Sequence, residues 1–513
     1  MVGITKRTML LVSSQIKKGA VLSYAGVVFN AIAGLLYTPW MIDSIGASNY
    51  GLYTLAISVI NFFLLDFGLG DAVSRFLSKY YAEGQEDLAN SFLGIAYRIY
   101  FVVSAGIALI LLLFFFFIDV IYNNLTVAEL EVFRILYVVV SLYSVISFPF
   151  LSFNGILSAN EKFVALNLCN LLQKVAIVAF IVVALLLGMG VYALVAANAA
   201  VSLSFVVVKF IIIKKTTNAR PCFNKTSRGM AREVLSFSFW AMVVQLCQRF
   251  IFSIMPTILA AVSNSWEIAL FGLASSLEGY VWAVANALNG MFMPRVSRIL
   301  AGNEEGVTLQ DLTVKLGRIQ LYVVGGIVVV FSVIGSRFID CWVGSDYSAL
   351  YTCTLLLVVP SIIDLPLMIA NTAIIAAGEV KARGIVYIFM SIANILLGII
   401  LASRYGSIGA CASICVAYFI RTSGMCVLYK RKLGLRLCSF IAKTYPRWIV
   451  VSFFSFVVVG LFSAWLPFSG WLGFAAVSLL FVFVYACFCY MFAFNQYERN
   501  LIGSALARLK RKM

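Results

Sequence analysis

Apolar segments long enough to cross a lipid bilayer recur along almost the whole 513-residue chain, and no other feature limits its fold as strongly. A transmembrane helix needs about 20 apolar residues, and its backbone must satisfy its hydrogen bonds within the segment. The segments lie near 20–42, 50–70, 92–118, 132–154, 163–187, 191–213, 236–261, 268–293, 317–335, 350–377, 384–402, 407–429, 448–467 and 470–494. They predict an all-α integral membrane protein with about 14 transmembrane helices.

The composition excludes two broad classes of protein. Hydrophobic residues make up 63% of the chain and charged residues 12%, whereas soluble domains average about 45–50% and about 25%. A disordered chain is excluded because disorder requires low hydrophobicity. A soluble enzyme with a single membrane anchor is excluded because the apolar residues extend over the whole length.

The distribution of basic residues predicts the orientation in the membrane. Lys and Arg number 38 against 21 Asp and Glu, a net charge of +17. If the N-terminus is cytoplasmic, 31 basic residues are assigned to cytoplasmic segments, including Lys209 and Arg318 near the ends of two spans, and only Arg337 and Arg404 to external loops. This asymmetry is the positive-inside pattern. We therefore expect both termini in the cytoplasm and no nucleic-acid partner.

An internal repeat divides the chain. At an offset of 218 residues, Leu55 matches Leu273 and Lys214 matches Lys432. Six helices per unit is an even number, so the two units enter the membrane from the same side as parallel repeats. The predicted organisation is a cytoplasmic lead-in at 1–19, an N-lobe of helices 1 to 6 at 20–213, a basic cytoplasmic linker at 214–235, a C-lobe of helices 7 to 12 at 236–430, a basic cytoplasmic loop at 431–447, two further helices, 13 and 14, at 448–494 and a basic cytoplasmic tail at 495–513.

Several chemistries lack the residues they need. The chain has no histidine, which removes Ser-His and Cys-His nucleophile pairs and His-ligated zinc. It has neither a GxxxxGK(S/T) phosphate-binding loop nor a CxxC pair. No loop between the predicted spans is large enough to form a folded domain outside the membrane. We therefore expect a transporter rather than an enzyme, with no cofactor and no metal site.

Ionisable residues inside the predicted spans are candidate functional groups, because charges at membrane depth are costly and face a cavity or each other. Those at mid-membrane depth are Lys174, Arg249, Glu278 and Asp364, and those nearer the cytoplasm are Asp66, Arg98 and Arg421. The alternative is that they form structural ion pairs, Arg249 with Glu278 and Asp66 with Arg98.

Two predicted helices add polar neighbours to these charges. Gln245 precedes Arg249 by four residues, and Glu278, Trp282 and Asn286 follow each other at the same spacing. A spacing of four places side chains on one helix face. In an apolar helix such a polar stripe indicates contact with water or ligand rather than lipid.

Local motifs resemble those of a known family. The stretches Asn49–Tyr53, Asp66–Phe76, Lys79–Gly84 and Ala376–Glu379, together with the repeat of six plus six helices, are similar to the polysaccharide-transport (Wzx-like) flippases. These belong to the multidrug/oligosaccharidyl-lipid/polysaccharide exporter superfamily. The resemblance covers about residues 1–430.

The resemblance implies two six-helix lobes around a cationic cavity. Such proteins flip undecaprenyl-diphosphate-linked repeat units of O-antigen, capsule or exopolysaccharide to the outer leaflet of the bacterial cytoplasmic (inner) membrane, by alternating access and with an ion gradient as the driving force. Membrane lipid, a polysaccharide polymerase and a chain-length regulator are the implied partners. A multidrug/cation antiporter of the same superfamily is the alternative, although a cationic drug would favour an anionic cavity.

The implied roles fall on the residues already singled out. Substrate binding is expected of Lys174, Arg249, Arg98, Arg421, Gln245, Trp282 and Asn286, because cationic groups match phosphate and polar or aromatic groups match sugars. Ion coupling is expected of Glu278, Asp364 and Asp66, because without histidine any proton must be carried by a carboxylate.

Overall fold

The computed structural model describes residues 6–64, 68–223, 228–289, 296, 299, 308–465, 470–496 and 498–500. All regular secondary structure in these ranges is helical, as predicted. The helices are α1 (Lys6–Ile45), α2 (Ala47–Phe63), α3 (Leu69–Ala82), α4 (Glu86–Phe116), α5 (Ile118–Ile121), α6 (Val127–Ser147), α7 (Ser152–Ala159), α8 (Phe163–Leu186), α9 (Gly190–Thr216), α10 (Arg228–Phe252), α11 (Met255–Val262), α12 (Ser265–Asn289), α13 (Leu309–Trp342), α14 (Ala349–Val358), α15 (Ser361–Asp364), α16 (Met368–Ala376), α17 (Val380–Leu433), α18 (Leu437–Trp465) and α19 (Gly470–Phe488).

The helices confirm a multi-pass membrane protein. Eleven helical segments of the described chain are long and apolar enough to cross a membrane, or twelve if the bent pair of α10 and α11 forms one span. The exact count of fourteen stays a prediction. Two places account for the difference: α2 has only 17 residues, and α17 runs for 54 residues across a break.

The break in α17 lies at Gly406, where the backbone leaves helical geometry (φ 55°, ψ −134°). A continuous helix of 54 residues would measure about 80 Å, far more than the ~30 Å hydrocarbon core. Only glycine tolerates this backbone conformation readily. A side chain there would also meet the Glu267 carboxylate, 2.5 Å from the Cβ position. Residues 380–405 and 407–433 therefore behave as two segments.

The contacts divide the chain into two compact units. The first contains residues 1–272 and 394–406, and the second contains 273–393 and 407–513. This division crosses α12 and α17 instead of following the loop at 214–235. The lobe boundaries derived from the repeat therefore stay a prediction. The start of α12 belongs to the first unit because it packs closely on α2.

Small residues allow α2 and the start of α12 to approach closely. A Cβ atom on Gly51 would overlap the Ser265 backbone carbonyl, and one on Gly272 would lie 2.7 Å from Thr54 Cγ2. Thr54 and Gly272 are separated by the repeat offset of 218 residues. The predicted repeat therefore makes these two positions equivalent.

A carboxylate ties together the first turns of the same helices. Glu129 Oε1 accepts hydrogen bonds from Ser48 Oγ (2.6 Å) and from Ser265 Oγ. The two serine hydroxyls are 2.9 Å apart. Glu129 also forms a capping box with Thr126 at the start of α6, which fixes the carboxylate in place. The N-termini of α2, α6 and α12 are thereby joined.

Replacement of Gly51 by valine is expected to lower the melting temperature of the purified protein, because backbone atoms of α12 would have to move. Overpacking of this kind costs about 1–3 kcal/mol. Thermal unfolding in detergent measures the effect. The matched control is Gly106→Val in α4, where a Cβ atom would have nothing within 4 Å. Equal melting temperatures for the two variants would show that α2 and α12 are not tightly packed.

Candidate functional site

A cavity of about 480 Å³, lined by both polar and aliphatic side chains, opens among α1, α2, α6, α8 and α9 of the first unit. This volume lies within the usual range for ligand sites, about 300–1,000 Å³. Amide side chains and one lysine dominate its polar lining, namely Asn61, Asn167, Asn170, Gln173, Asn198 and Lys174. No acidic residue is among the described residues that line it. The cavity therefore presents neutral hydrogen-bonding groups and one positive charge.

Helix α8 supplies much of this polar wall. Asn167, Asn170 and Lys174 follow at spacings of three and four, which places them on one helix face. Leu168 and Leu172 on another face are 40% and 48% exposed, as expected of side chains that contact lipid. The Lys174 ammonium has no hydrogen-bond or ion-pair partner within the described part of the chain. It is a charge available to an anionic ligand.

A second lysine, which the sequence reasoning missed, supports the same wall. Lys209 on α9 donates to Asn170 Oδ1 (2.9 Å) and to Asn154 Oδ1 (3.1 Å). The charge count assigns Lys209 to the cytoplasmic basic residues that follow the sixth span. The available signal was its position inside the apolar segment 191–213, which already placed it within a helix.

The second unit contains a buried ion pair between Arg421 and Asp364. Arg421 Nη2 lies 2.5 Å from Asp364 Oδ2, and the arginine side chain is 4% exposed. Thr422 Oγ1 donates to Asp364 Oδ1 at 3.3 Å. Asp364 lies where the span is interrupted between Pro360 and the 3₁₀ turn that contains Pro366. The break in the helix at these prolines therefore positions the carboxylate.

Aromatic rings surround the same arginine. The Arg421 guanidinium carbon lies 4.3 Å from the ring centre of Tyr418, 5.7 Å from that of Tyr387 and 5.9 Å from that of Trp282. Trp282 and Tyr418 stack at 6.3 Å. Cation–π contacts stabilise a desolvated guanidinium. Two residues that the sequence assigned separately to substrate binding, Arg421 and Trp282, thus belong to one cluster.

Glu278 lies beside this cluster, one helical turn before Trp282. It is 5% exposed, and its Oε1 has no hydrogen-bond partner among the described residues. The Arg421 charge acts on it electrostatically. A buried carboxylate with a vacant acceptor can take up a proton or a small cation, and the neighbouring Arg421–Asp364 pair would respond to that change in charge.

The other residues predicted for substrate binding or ion coupling lie away from the cavity and the Arg421 cluster, or outside the described residues. Arg98 donates to the Phe223 backbone carbonyl, so it holds the segment after α9 against α4. Gln245 is half-buried and Arg249 is exposed on α10. Asp66 and the side chain of Asn286 lie outside the described residues. The proposed Asp66–Arg98 pair is thus not tested.

A further buried arginine has a structural arrangement. Arg318 binds Glu498 through Nε–Oε1 (2.7 Å) and Nη2–Oε2 (2.9 Å). It also donates to the backbone carbonyls of Ala493 and Lys443. These bonds join α13 to α18 and to the residues that follow α19. The predicted span 317–335 already contains Arg318. The sequence could not identify its partner, because Glu498 lies 180 residues away in the chain. Within the described residues, no group of three potential ligands could hold a metal ion.

Solved structures of known transporters share this fold. A solved structure of the lipid II flippase MurJ, in an inward closed conformation, matches with a TM-score of 0.68 at 16% identity, over 96% of this chain and 100% of that one. An inward-facing multidrug resistance MATE transporter of the MOP superfamily matches with a TM-score of 0.60 at 14% identity, over 81% and 98%. A MOP superfamily transporter from Pyrococcus furiosus, described as having a binding pocket of reverse polarity, matches with a TM-score of 0.56 at 13% identity, over 82% and 96%.

At these identities the structures establish the fold alone. No curated protein sequence matches the chain. The family of polysaccharide biosynthesis proteins matches residues 16–300, more than half of the sequence. This match covers the helices that form the amide-lined cavity and those that contribute Glu129 and Glu278. The chain therefore belongs to the polysaccharide biosynthesis protein family.

Proposed function

We propose that the protein flips undecaprenyl-diphosphate-linked oligosaccharide from the cytoplasmic to the outer leaflet of the bacterial inner membrane by alternating access. The observation that carries this proposal is the amide-walled cavity with Lys174. Amide groups both donate and accept hydrogen bonds, as sugar hydroxyls require. An ammonium group attracts the diphosphate or another anionic group of the same substrate. Family membership supports the assignment.

The cluster in the second unit is the proposed site of ion coupling. Glu278 supplies a buried carboxylate with a vacant oxygen, and Asp364 supplies a second carboxylate held by Arg421. Uptake of a proton or cation at Glu278 would change the charge balance next to Arg421. Such a change favours one conformation over another only if the ion binds the two conformations differently.

Export of cationic drugs is disfavoured by the charge of the cavity. Among its described lining residues the cavity presents Lys174 and no carboxylate. A cationic ligand would be repelled at that position and would find no counter-ion. An anionic substrate would instead be attracted to Lys174. The charge of the cavity therefore favours a flippase for an anionic lipid-linked substrate over an exporter of cationic drugs.

The deciding experiment uses a deletion strain of the source organism. Loss of surface polysaccharide, with lipid-linked repeat units trapped on the cytoplasmic face, is expected and should be reversed by the wild-type gene. Gel analysis of surface glycan and quantification of lipid-linked units provide the measurements. Normal surface glycan together with greater sensitivity to toxic cations would instead show a drug exporter.

A further inference from the structure

Lys209 lies too far inside α9 to be explained as a helix-end lysine. It precedes the last residue of the helix by seven positions, which corresponds to about 10 Å along the axis. Lys214 and Lys215, at that end, are exposed. A lysine inside a membrane helix normally extends toward the interface. Lys209 instead uses its ammonium to bind two amide oxygens, those of Asn154 and Asn170.

The direction of these hydrogen bonds determines what Asn170 can offer to a ligand. A lysine ammonium only donates, so the Asn170 atom that faces it must be the oxygen. The amide nitrogen of Asn170 therefore remains as a donor, and it has no partner among the described residues. Asn170 lines the cavity one turn before Lys174 on the same face of α8. Two groups that only donate thus lie side by side.

We infer that Lys209 is a positioning residue that makes Asn170 a hydrogen-bond donor, and that Asn170 and Lys174 together form an oxyanion subsite in the cavity. The inference rests on the proposed function and adds the chemistry of one part of the substrate. The group bound is an oxyanion, either the diphosphate of the lipid carrier or the carboxylate of an acidic sugar. Gln173 donates to Ser202 Oγ (3.1 Å), whereas Asn61 and Asn167 remain for neutral hydroxyl groups.

The test measures binding to the full-length protein in lipid nanodiscs by isothermal titration calorimetry. The probes are inorganic pyrophosphate, glucuronate and glucose. Lys209→Met is expected to weaken binding of the recognised anion about tenfold, the usual effect of losing one charge-assisted hydrogen bond. Glucose affinity should change by less than about twofold in the same comparison. Lys215→Met, at the exposed end of α9, is the matched control and should bind as the wild type does.

Two further variants separate positioning from a general structural role. Lys209→Arg retains a donor for the amide oxygens and should restore anion binding. Asn170→Asp replaces the donor by an acceptor, and it should abolish anion binding while its carboxylate remains paired with Lys209. Thermal unfolding of each variant identifies any that do not fold, and the arginine variant still tests the inference in that case.

Each outcome has one meaning. If Lys209→Met weakens the binding of pyrophosphate alone, the ligand is the diphosphate of the lipid carrier. If it weakens the binding of glucuronate alone, the ligand is an acidic sugar. The inference is overturned if the wild type binds neither anion, if Lys209→Met binds both as the wild type does, or if glucose affinity falls equally. Lys209-dependent anion binding without oligosaccharide transport would refute the proposed function alone. Transport with no effect of Lys209→Met on binding would refute the subsite alone.

Discussion

Cells that carry Lys174→Met in place of the wild-type protein are expected to lose nearly all surface polysaccharide. Lys174 is the single charged side chain among the described residues of the cavity. Methionine has a similar length and removes only the charge and its hydrogen bonds. Loss of a charge-assisted contact to phosphate or carboxylate costs about 1.5–3 kcal/mol, a decrease in affinity of about tenfold to a hundredfold.

The comparison must separate transport from folding. Membrane abundance and thermal unfolding of Lys174→Met should match those of the wild type, because the ammonium has no described partner to lose. Lys162→Met, just before the start of the same helix α8, is a suitable control and should leave glycan at the wild-type level. Full surface polysaccharide from the Lys174 variant would refute its role in substrate binding.

Replacement of Asp364 by leucine is expected to produce the largest loss of stability. Arg421 is 4% exposed and its guanidinium lies against Asp364. Removal of the carboxylate leaves a buried charge without its counter-ion, which costs about 3–5 kcal/mol. The aromatic rings around Arg421 reduce this cost but do not replace an opposite charge. Thermal unfolding in detergent should show a correspondingly lower melting temperature.

The double variant Asp364→Leu with Arg421→Leu provides the control for this prediction. Exchange of both charges for apolar groups is often nearly neutral for stability, so the double variant should recover most of the lost stability. Its transport activity should remain low if the pair takes part in ion coupling. A single Asp364→Leu variant as stable as the wild type would show that the pair is not a buried structural ion pair.

Much of the fold follows from local properties of the chain. Apolar length is sufficient to locate the spans, because a helix must cross a membrane of fixed thickness. The depth of Lys174 and the spacing of Glu278 and Trp282 also follow from position along a helix. The number of membrane spans does not follow from apolar length alone. A short helix such as α2 and a break such as that at Gly406 are set by packing and backbone conformation.

Partners of buried charges depend on tertiary structure. The sequence by itself determined an all-helical membrane protein, the family resemblance and several ionisable residues within the apolar segments. Only the tertiary structure decided that Arg421 pairs with Asp364, that Lys209 binds Asn170 in the cavity wall, and that Arg318 binds Glu498 across 180 residues. Hydrophobicity and charge are local quantities, whereas which donor meets which acceptor depends on the rotation and packing of helices far apart in the chain.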